Sequence, residues 1–173
     1  PAMRKLMTGV LQDILGNVDK DIIDEDILKF KKEMKTSDIQ EIALPTGVKK
    51  LTKFKASTPR GAVFTTMRKG TPVHVKAAWI YNDLLKYWGL NNFEKIKSSE
   101  KIKWVYLKPN TMNVKQIGFK GYDDPKEIMD FIKENIDYDK LFSRALEKKI
   151  RMFYEALKWD MPVDKANTLE RFF

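Results

Sequence analysis

The strongest constraint on the fold is residues 68–88, RKGTPVHVKAAWIYNDLLKYW. Val73, Ala77, Ile80, Leu84 and Trp88 recur at helical spacing, and Tyr81 and Leu85 widen the stripe. Thr71-Pro72 sits just ahead of it. Thr is a favoured N-cap, and Pro suits the first helical position because its missing N–H would have no partner there. The spacing therefore predicts a helix over 71–88. Its free N–H end lies beside Arg68, Lys69, Gly70, His74 and Lys76. Unpaired N–H groups next to cations form a phosphate site. An ordinary amphipathic helix in a basic protein fits the same local pattern, and the helix alone does not decide between them.

The surroundings favour the phosphate site. Residues 42–82 contain no Asp or Glu, yet carry Lys49, Lys50, Lys53, Lys55, Arg60, Arg68, Lys69 and Lys76. With 24 acids in 173 residues, about six would fall in a window this long. These cations nearly account for the formal net charge of +9. Charge so concentrated points to a polyanion surface.

The length suits one domain, or two small ones sharing a core. Ten Phe, six Tyr, four Trp and eight Met are enough to build a core. There is no cysteine, which excludes disulfides, thiolate chemistry and Cys-based zinc sites. No apolar run is long enough to span a bilayer and no signal-peptide pattern opens the chain, so no membrane association is expected. The chain begins at Pro1, as a processed product or a piece of something longer would.

Residues 3–16 read as a helix ended by Gly16-Asn17, and 21–35 as a second one, acidic early and basic late, in line with the helix dipole. The triplet Asp24-Glu25-Asp26 reads as a solvated helix start, because adjacent helical residues point in different directions. Residues 37–45 look extended. Residues 47–69 read as a long basic loop with a short strand at 62–64; loops this long are usually functional or disordered. Residues 101–107 and 114–120 read as two strands of a hairpin, which must pack on helices to be stable. Asp124-Pro125 resembles a helix cap. A long helix is predicted over 137–159, with Tyr138, Phe142, Ala145, Leu146, Phe153, Ala156 and Leu157 inward and Lys140, Arg144, Lys148 and Arg151 as a basic stripe. The fold class is α+β: mainly helical, with a small antiparallel hairpin or sheet.

Enzymatic motifs are missing. His74 is the only histidine, and HExxH, P-loop and GxSxG patterns do not occur. No catalytic and no metal-binding residue is assigned. Whether the chain is part of an enzyme is left open by the residues alone.

KGTPVHVKAAWIYNDLLK, EKIKWVYLKPN, IDYDKLFSRAL and the closing TLERFF, in that order, resemble the C-terminal thumb region of family B DNA-directed DNA polymerases of T-even-like bacteriophages. The opening PAMRKLM and the acidic-to-basic second helix extend the resemblance over nearly the whole chain. It implies a thumb-like DNA-binding domain over 1–160: opening helices 3–35, basic loop 47–69, central helix 71–88, hairpin 101–120 and C-terminal helices 124–159. A tail over 161–173 follows. Such a thumb grips the primer–template, a double-stranded DNA, by its backbone during DNA replication. The implied DNA-binding residues are Lys49, Lys50, Lys53, Arg60, Arg68, Lys69, Gly70, Thr71, His74 and Lys76.

The resemblance further implies that Leu169, Phe172 and Phe173 bind a sliding clamp, although Ala166 stands where such peptides usually carry Gln. The palm aspartates and the exonuclease carboxylates are absent. Those palm aspartates would hold the Mg2+ ions for nucleotidyl transfer, so no cofactor is expected in this chain. The implied partner is the palm/exonuclease part of the polymerase. The chain is then an excised thumb or the C-terminal subunit of a split polymerase, in the cytoplasm of an infected bacterial host. Two alternatives stand beside this: a stand-alone nucleic-acid-binding module in which Trp79, Trp88, Trp104 and Tyr106 stack on bases, although their helical or strand periodicity favours core packing, and an interaction domain that docks a clamp or polymerase subunit.

Overall fold

The computed structural model describes residues 2–164. In chain order these form α1 (Ala2–Leu15), α2 (Lys20–Glu33), a 3-10 turn (Met34–Thr36), α3 (Ile39–Ile42) and β1 (Leu44–Gly47). A second 3-10 turn (Leu51–Phe54), β2 (Lys55–Ser57), β3 (Thr66–Met67) and α4 (Val73–Tyr87) follow. The chain continues through β4 (Lys101–Tyr106), β5 (Gln116–Phe119), α5 (Lys126–Asn135), α6 (Tyr138–Phe142), a π turn (Ser143–Glu147) and α7 (Lys148–Ala156). The fold is α+β, with a three-stranded antiparallel sheet and a separate two-stranded hairpin. It divides into two compact units: the chain up to Ile42 together with the chain from Tyr138, and Ala43–Asp137.

The first unit is helical. Met3, Val10, Ile23, Ile27, Met34, Leu141, Phe142, Leu146, Ile150 and Tyr154 are buried in it. α1 ends where Asn17 turns left-handed (φ 56°) and the Val18 N–H reaches back to Asp13 O at 3.0 Å. Asp24 is not solvated as the sequence suggested. It accepts a 2.6 Å hydrogen bond from the Tyr154 hydroxyl and pairs with Lys20. Burial and this carboxylate together push the Tyr154 hydroxyl well above its usual range. Phe153, Ala156 and Leu157 are exposed, against expectation, and Ile150 and Tyr154 are buried instead. The π turn underwinds the helix, so buried positions advance in steps of four, from Phe142 through Leu146 and Ile150 to Tyr154.

The second unit is a sheet with helices on it. The strand order is β1-β4-β5, with Leu44 opposite Trp104 and Trp104 opposite Gly118. α4 packs on β5 and β4, burying Val75, Ala77, Ala78, Tyr81, Leu84 and Leu85. The buried Val75, Leu84 and Leu85 side chains contribute roughly 1.5–3 kcal/mol each. Gly118 permits the close approach: a Cβ there would lie 3.3 Å from the backbone of Ala77 and 3.1 Å from Ile102 Cδ1. At the other end of α4, the buried Asn82 acts as a surrogate strand. Its amide donates to Ile96 O (2.9 Å) and accepts from Ile96 N–H (2.7 Å), holding the 88–100 connection. Lys120 is buried too, between Glu94 and Glu100, each at 3.6 Å.

Several sequence expectations change. Of the residues expected to be extended, Ile39–Ile42 form a helical turn, because Asp38 accepts the Gln40 N–H at 2.9 Å and starts a helix, while Leu44 and Pro45 are extended in β1. The segment 47–69 is structured by a 3-10 turn and a hairpin, and its strands are β2 and β3 rather than 62–64. α4 spans Val73–Tyr87 rather than 71–88. Asp124 does not cap its own helix. It accepts from Lys120 N–H (2.8 Å), Gly121 N–H (2.7 Å) and the Tyr81 hydroxyl (3.1 Å), so it fastens the end of β5 to α4.

Candidate nucleic-acid interface

The acid-free segment is held on α4 by hydrogen bonds that use none of its cationic side chains. The Val48 N–H donates to Glu100 O (2.9 Å) and the Ser99 N–H to Val48 O (2.6 Å), which fixes the start of the segment. Lys50, left-handed at φ 54°, turns the chain into the 3-10 turn. There the Leu51 N–H donates to Ser98 Oγ, and the Trp79 indole N–H donates to Leu51 O, both at 3.0 Å. β2 and β3 then fold back on each other, Lys55 opposite Met67, with a register shift between Lys55 and Ser57. The Arg68 N–H closes the hairpin on Phe54 O at 2.9 Å. Asp83, the first acid after the segment, takes Thr65 by two bonds, from its N–H (2.8 Å) and its hydroxyl (3.0 Å). Burial raises the Asp83 carboxyl above its ordinary value, only partly offset by Thr65, Lys55 and Lys86.

This pairing brings most of the cations into one neighbourhood. Lys55 lies opposite Met67 and the Arg68 N–H bonds to Phe54 O, so the backbone on either side of Phe54 is set beside that of Met67 and Arg68. The Lys55 ammonium lies 5.4 Å from the Trp79 ring centroid, and Lys76 is one helical turn before Trp79 on the same side of α4. Lys49, Lys50, Lys53, Lys55, Arg60, Arg68 and Lys69 are exposed and Lys76 is half-buried. None of the eight stands in a salt bridge among the described residues. Lys49 and Lys50 sit at the foot of the 3-10 turn, and Arg60 in the connection beyond the paired strands.

Thr71 plays a different part from the helix cap expected of it. Thr71 is buried, and its hydroxyl donates to Arg68 O at 2.6 Å, so it closes the turn before α4 instead of capping the helix. Pro72 takes the cap position, and its carbonyl accepts from Val75 and Lys76 N–H, both at 3.1 Å. The first-turn amides of Val73 and His74 are left without an intrahelical partner. Gly70, at φ +82°, makes the left-handed turn that aims this end. Burial lowers the His74 pKa below its usual value.

Two cavities flank the seam between hairpin and helix, sharing Thr65, Trp79 and Asp83. One, of about 250 Å³, includes Phe64, Lys76 and Lys115. The other, of about 380 Å³, includes Lys55, Lys86, Lys95 and Tyr87. Lys86, Lys95, Lys115 and Tyr87 escaped the sequence reading because they lie outside the acid-free window. The spacing of Trp79, Asp83, Lys86 and Tyr87 was the available signal, since it puts all four on one side of a helix. Of the aromatics that the stand-alone alternative would stack on bases, Trp104 is buried against Tyr106, as its strand periodicity favoured, and Trp88 meets Phe131 edge-on.

No group of three or more His, Asp or Glu among the described residues could hold a metal ion. No helix among them is long and apolar enough to cross a membrane. Leu169, Phe172 and Phe173 lie outside the described residues. No family model matches the chain. Over 76 residues it is 33% identical to human protein SSX5, a stretch that takes in 42% of this chain and 40% of that protein. The chain is thus similar to SSX5 over well under half of the length of either.

Proposed function

We propose that this chain holds duplex DNA by its phosphates, as the thumb part of a family B DNA polymerase, and leaves nucleotidyl transfer and its metal ions to a separate palm/exonuclease part. One observation carries the reading: the hydrogen bonds that pin the acid-free segment to α4 use none of its cationic side chains, and none of those cations stands in a salt bridge among the described residues. The resemblance of 69–86, 100–110, 136–146 and 168–173 to phage polymerase thumbs supplies the polymerase context.

The chemistry suits a grip without base reading. Lys and Arg on a hairpin and at a helix start reach phosphate oxygens, which position a duplex but carry no sequence information. Fluorescence anisotropy with a random-sequence 20-bp duplex tests it. If about five phosphates are neutralised, log K falls against log salt with a slope near −4 to −5. Changing Lys69→Ala with Lys76→Ala weakens binding and flattens the slope by about 2, with an unchanged melting temperature. A salt-independent or sequence-selective isotherm, or an unchanged affinity in the double variant, refutes the reading.

A further inference from the structure

The cavity between the hairpin and the C-terminal half of α4 has features that phosphate gripping alone does not use. One wall is the α4 face carrying Trp79, Asp83, Lys86 and Tyr87; the other includes Lys55, Thr58, Val63 and Thr65, with Lys95 also at the rim. Its volume of about 380 Å³ is in the range of small-ligand sites. Three cations line it against one carboxylate, and that carboxylate is already turned to Thr65 by two hydrogen bonds. Lys55, Lys86 and Lys95 are exposed and in no salt bridge among the described residues. An anion is therefore favoured. Tyr87 is 57% exposed, although it is a large aromatic on an otherwise well-packed helix. Trp79 is held by Leu51 and has Lys55 over its ring, which leaves Tyr87 as the open flat surface.

We infer that this cavity receives one unpaired nucleotide of a DNA strand, its base against Tyr87 and its phosphate among Lys55, Lys86 and Lys95. The inference rests on the duplex-holding reading and deepens it: the hairpin cations grip the double-stranded part, and the cavity takes the first nucleotide that leaves it. Base–aromatic stacking is tolerant of sequence, so the pocket adds affinity for a single-stranded end without choosing a base.

Two DNAs test this with the full chain: a blunt 20-bp duplex and the same duplex with a three-nucleotide single-stranded extension. The wild type binds the extended DNA about five- to tenfold tighter than the blunt one, the weaker end of what one stacked base supplies. Tyr87→Ala removes that ratio and leaves blunt-duplex affinity unchanged, whereas Tyr87→Phe keeps it, since the ring and not the hydroxyl does the stacking. Lys86→Gln with Lys95→Gln, on the cavity rim and away from the hairpin, lowers the ratio and its salt dependence. Blunt binding with no gain from the extension, or a gain that survives Tyr87→Ala, overturns the inference and leaves the duplex reading standing. Failure to bind either DNA overturns both. Binding of the extended DNA alone supports the cavity and removes the duplex grip.

Discussion

The pin between Asp83 and Thr65 decides whether the basic hairpin is a fixed surface or a loose loop, and Asp83→Ala tests it. The change removes two acceptors at once, one for the Thr65 N–H at 2.8 Å and one for its hydroxyl at 3.0 Å. Hydrogen bonds to a charged group contribute about 1.5–3 kcal/mol each. Asp83 is half-buried, and its carboxylate loses hydration on folding, so the net loss is smaller: about 2 kcal/mol. In a chain of this size that lowers the melting temperature by roughly 4–8 °C.

Thr65→Val removes the hydroxyl bond and spares the backbone one, costing about 1 kcal/mol. Combining the two changes gives less than their sum, with a coupling of about 1 kcal/mol. Asp83→Asn keeps one acceptor for the Thr65 N–H and falls between wild type and Asp83→Ala. Amide exchange reads the same event locally. The Arg68 N–H, bonded to Phe54 O across the hairpin, exchanges about thirtyfold faster in Asp83→Ala if the hairpin opens as a unit. Duplex affinity drops about three- to tenfold, because the loosened side chains must be ordered on binding. An Asp83→Ala variant with wild-type melting and wild-type exchange at Arg68 refutes the claim that this carboxylate fixes the hairpin.

Three further changes probe the frame behind the site. Gly118→Ala places a methyl 3.3 Å from the Ala77 backbone, which cannot yield, and costs about 1–3 kcal/mol in urea unfolding; an unchanged midpoint means that α4 lies further from β5. Asn82→Ala strands the Ile96 N–H and C=O in a buried place and costs at least about 2 kcal/mol, seen as a lower melting temperature. His74 has its pKa lowered by burial, so the folded state binds this proton less readily than the unfolded one. Its contribution to stability is present above the unfolded value of 6.5 and is lost as pH falls through the folded pKa, and His74→Gln flattens the stability profile in that window.

The framework of the site was legible in the sequence, and its joinery was not. The apolar stripe from Val73 to Leu84 announced α4, and the Val and aromatic residues of 101–107 announced β4, because burial on one face imposes a period. The same logic fails for β2 and β3. Their strands are three and two residues long, and the residues of β2 are all exposed, so no hydrophobic period marks them. Among the contacts that hold them is a carboxylate on α4, 18 residues from its partner Thr65, and a local pattern carries no sign of such a pairing. Thr71 misled for a related reason. Thr before Pro has the chemistry of a cap, but a left-handed Gly70 bends the chain so that the hydroxyl meets Arg68 O first. The π turn is equally silent: an underwound turn leaves the composition unchanged and moves only the phase, which is why Phe153 and Leu157 look like core residues and are exposed.

The way the hairpin is held makes a prediction that separates folding from binding. Its contacts are an indole to a carbonyl, an amide to a serine, a threonine to a carboxylate, and backbone pairs; none uses one of the eight cations in a salt bridge. The ion pairs that do occur in the described chain lie elsewhere, and several are exposed helix pairs that contribute little. Added salt therefore has almost nothing to weaken in the fold. It also screens the mutual repulsion of the hairpin cations, since the Debye length falls from about 10 Å at 0.1 M to 3 Å at 1 M. Between 50 and 500 mM NaCl the melting temperature should hold within about 2 °C or rise slightly. Over the same decade, duplex affinity should fall by about four orders of magnitude if five phosphates are engaged. A fold that weakens steeply with salt would mean that these cations are consumed inside the protein, and cations consumed there are not available to a phosphate backbone.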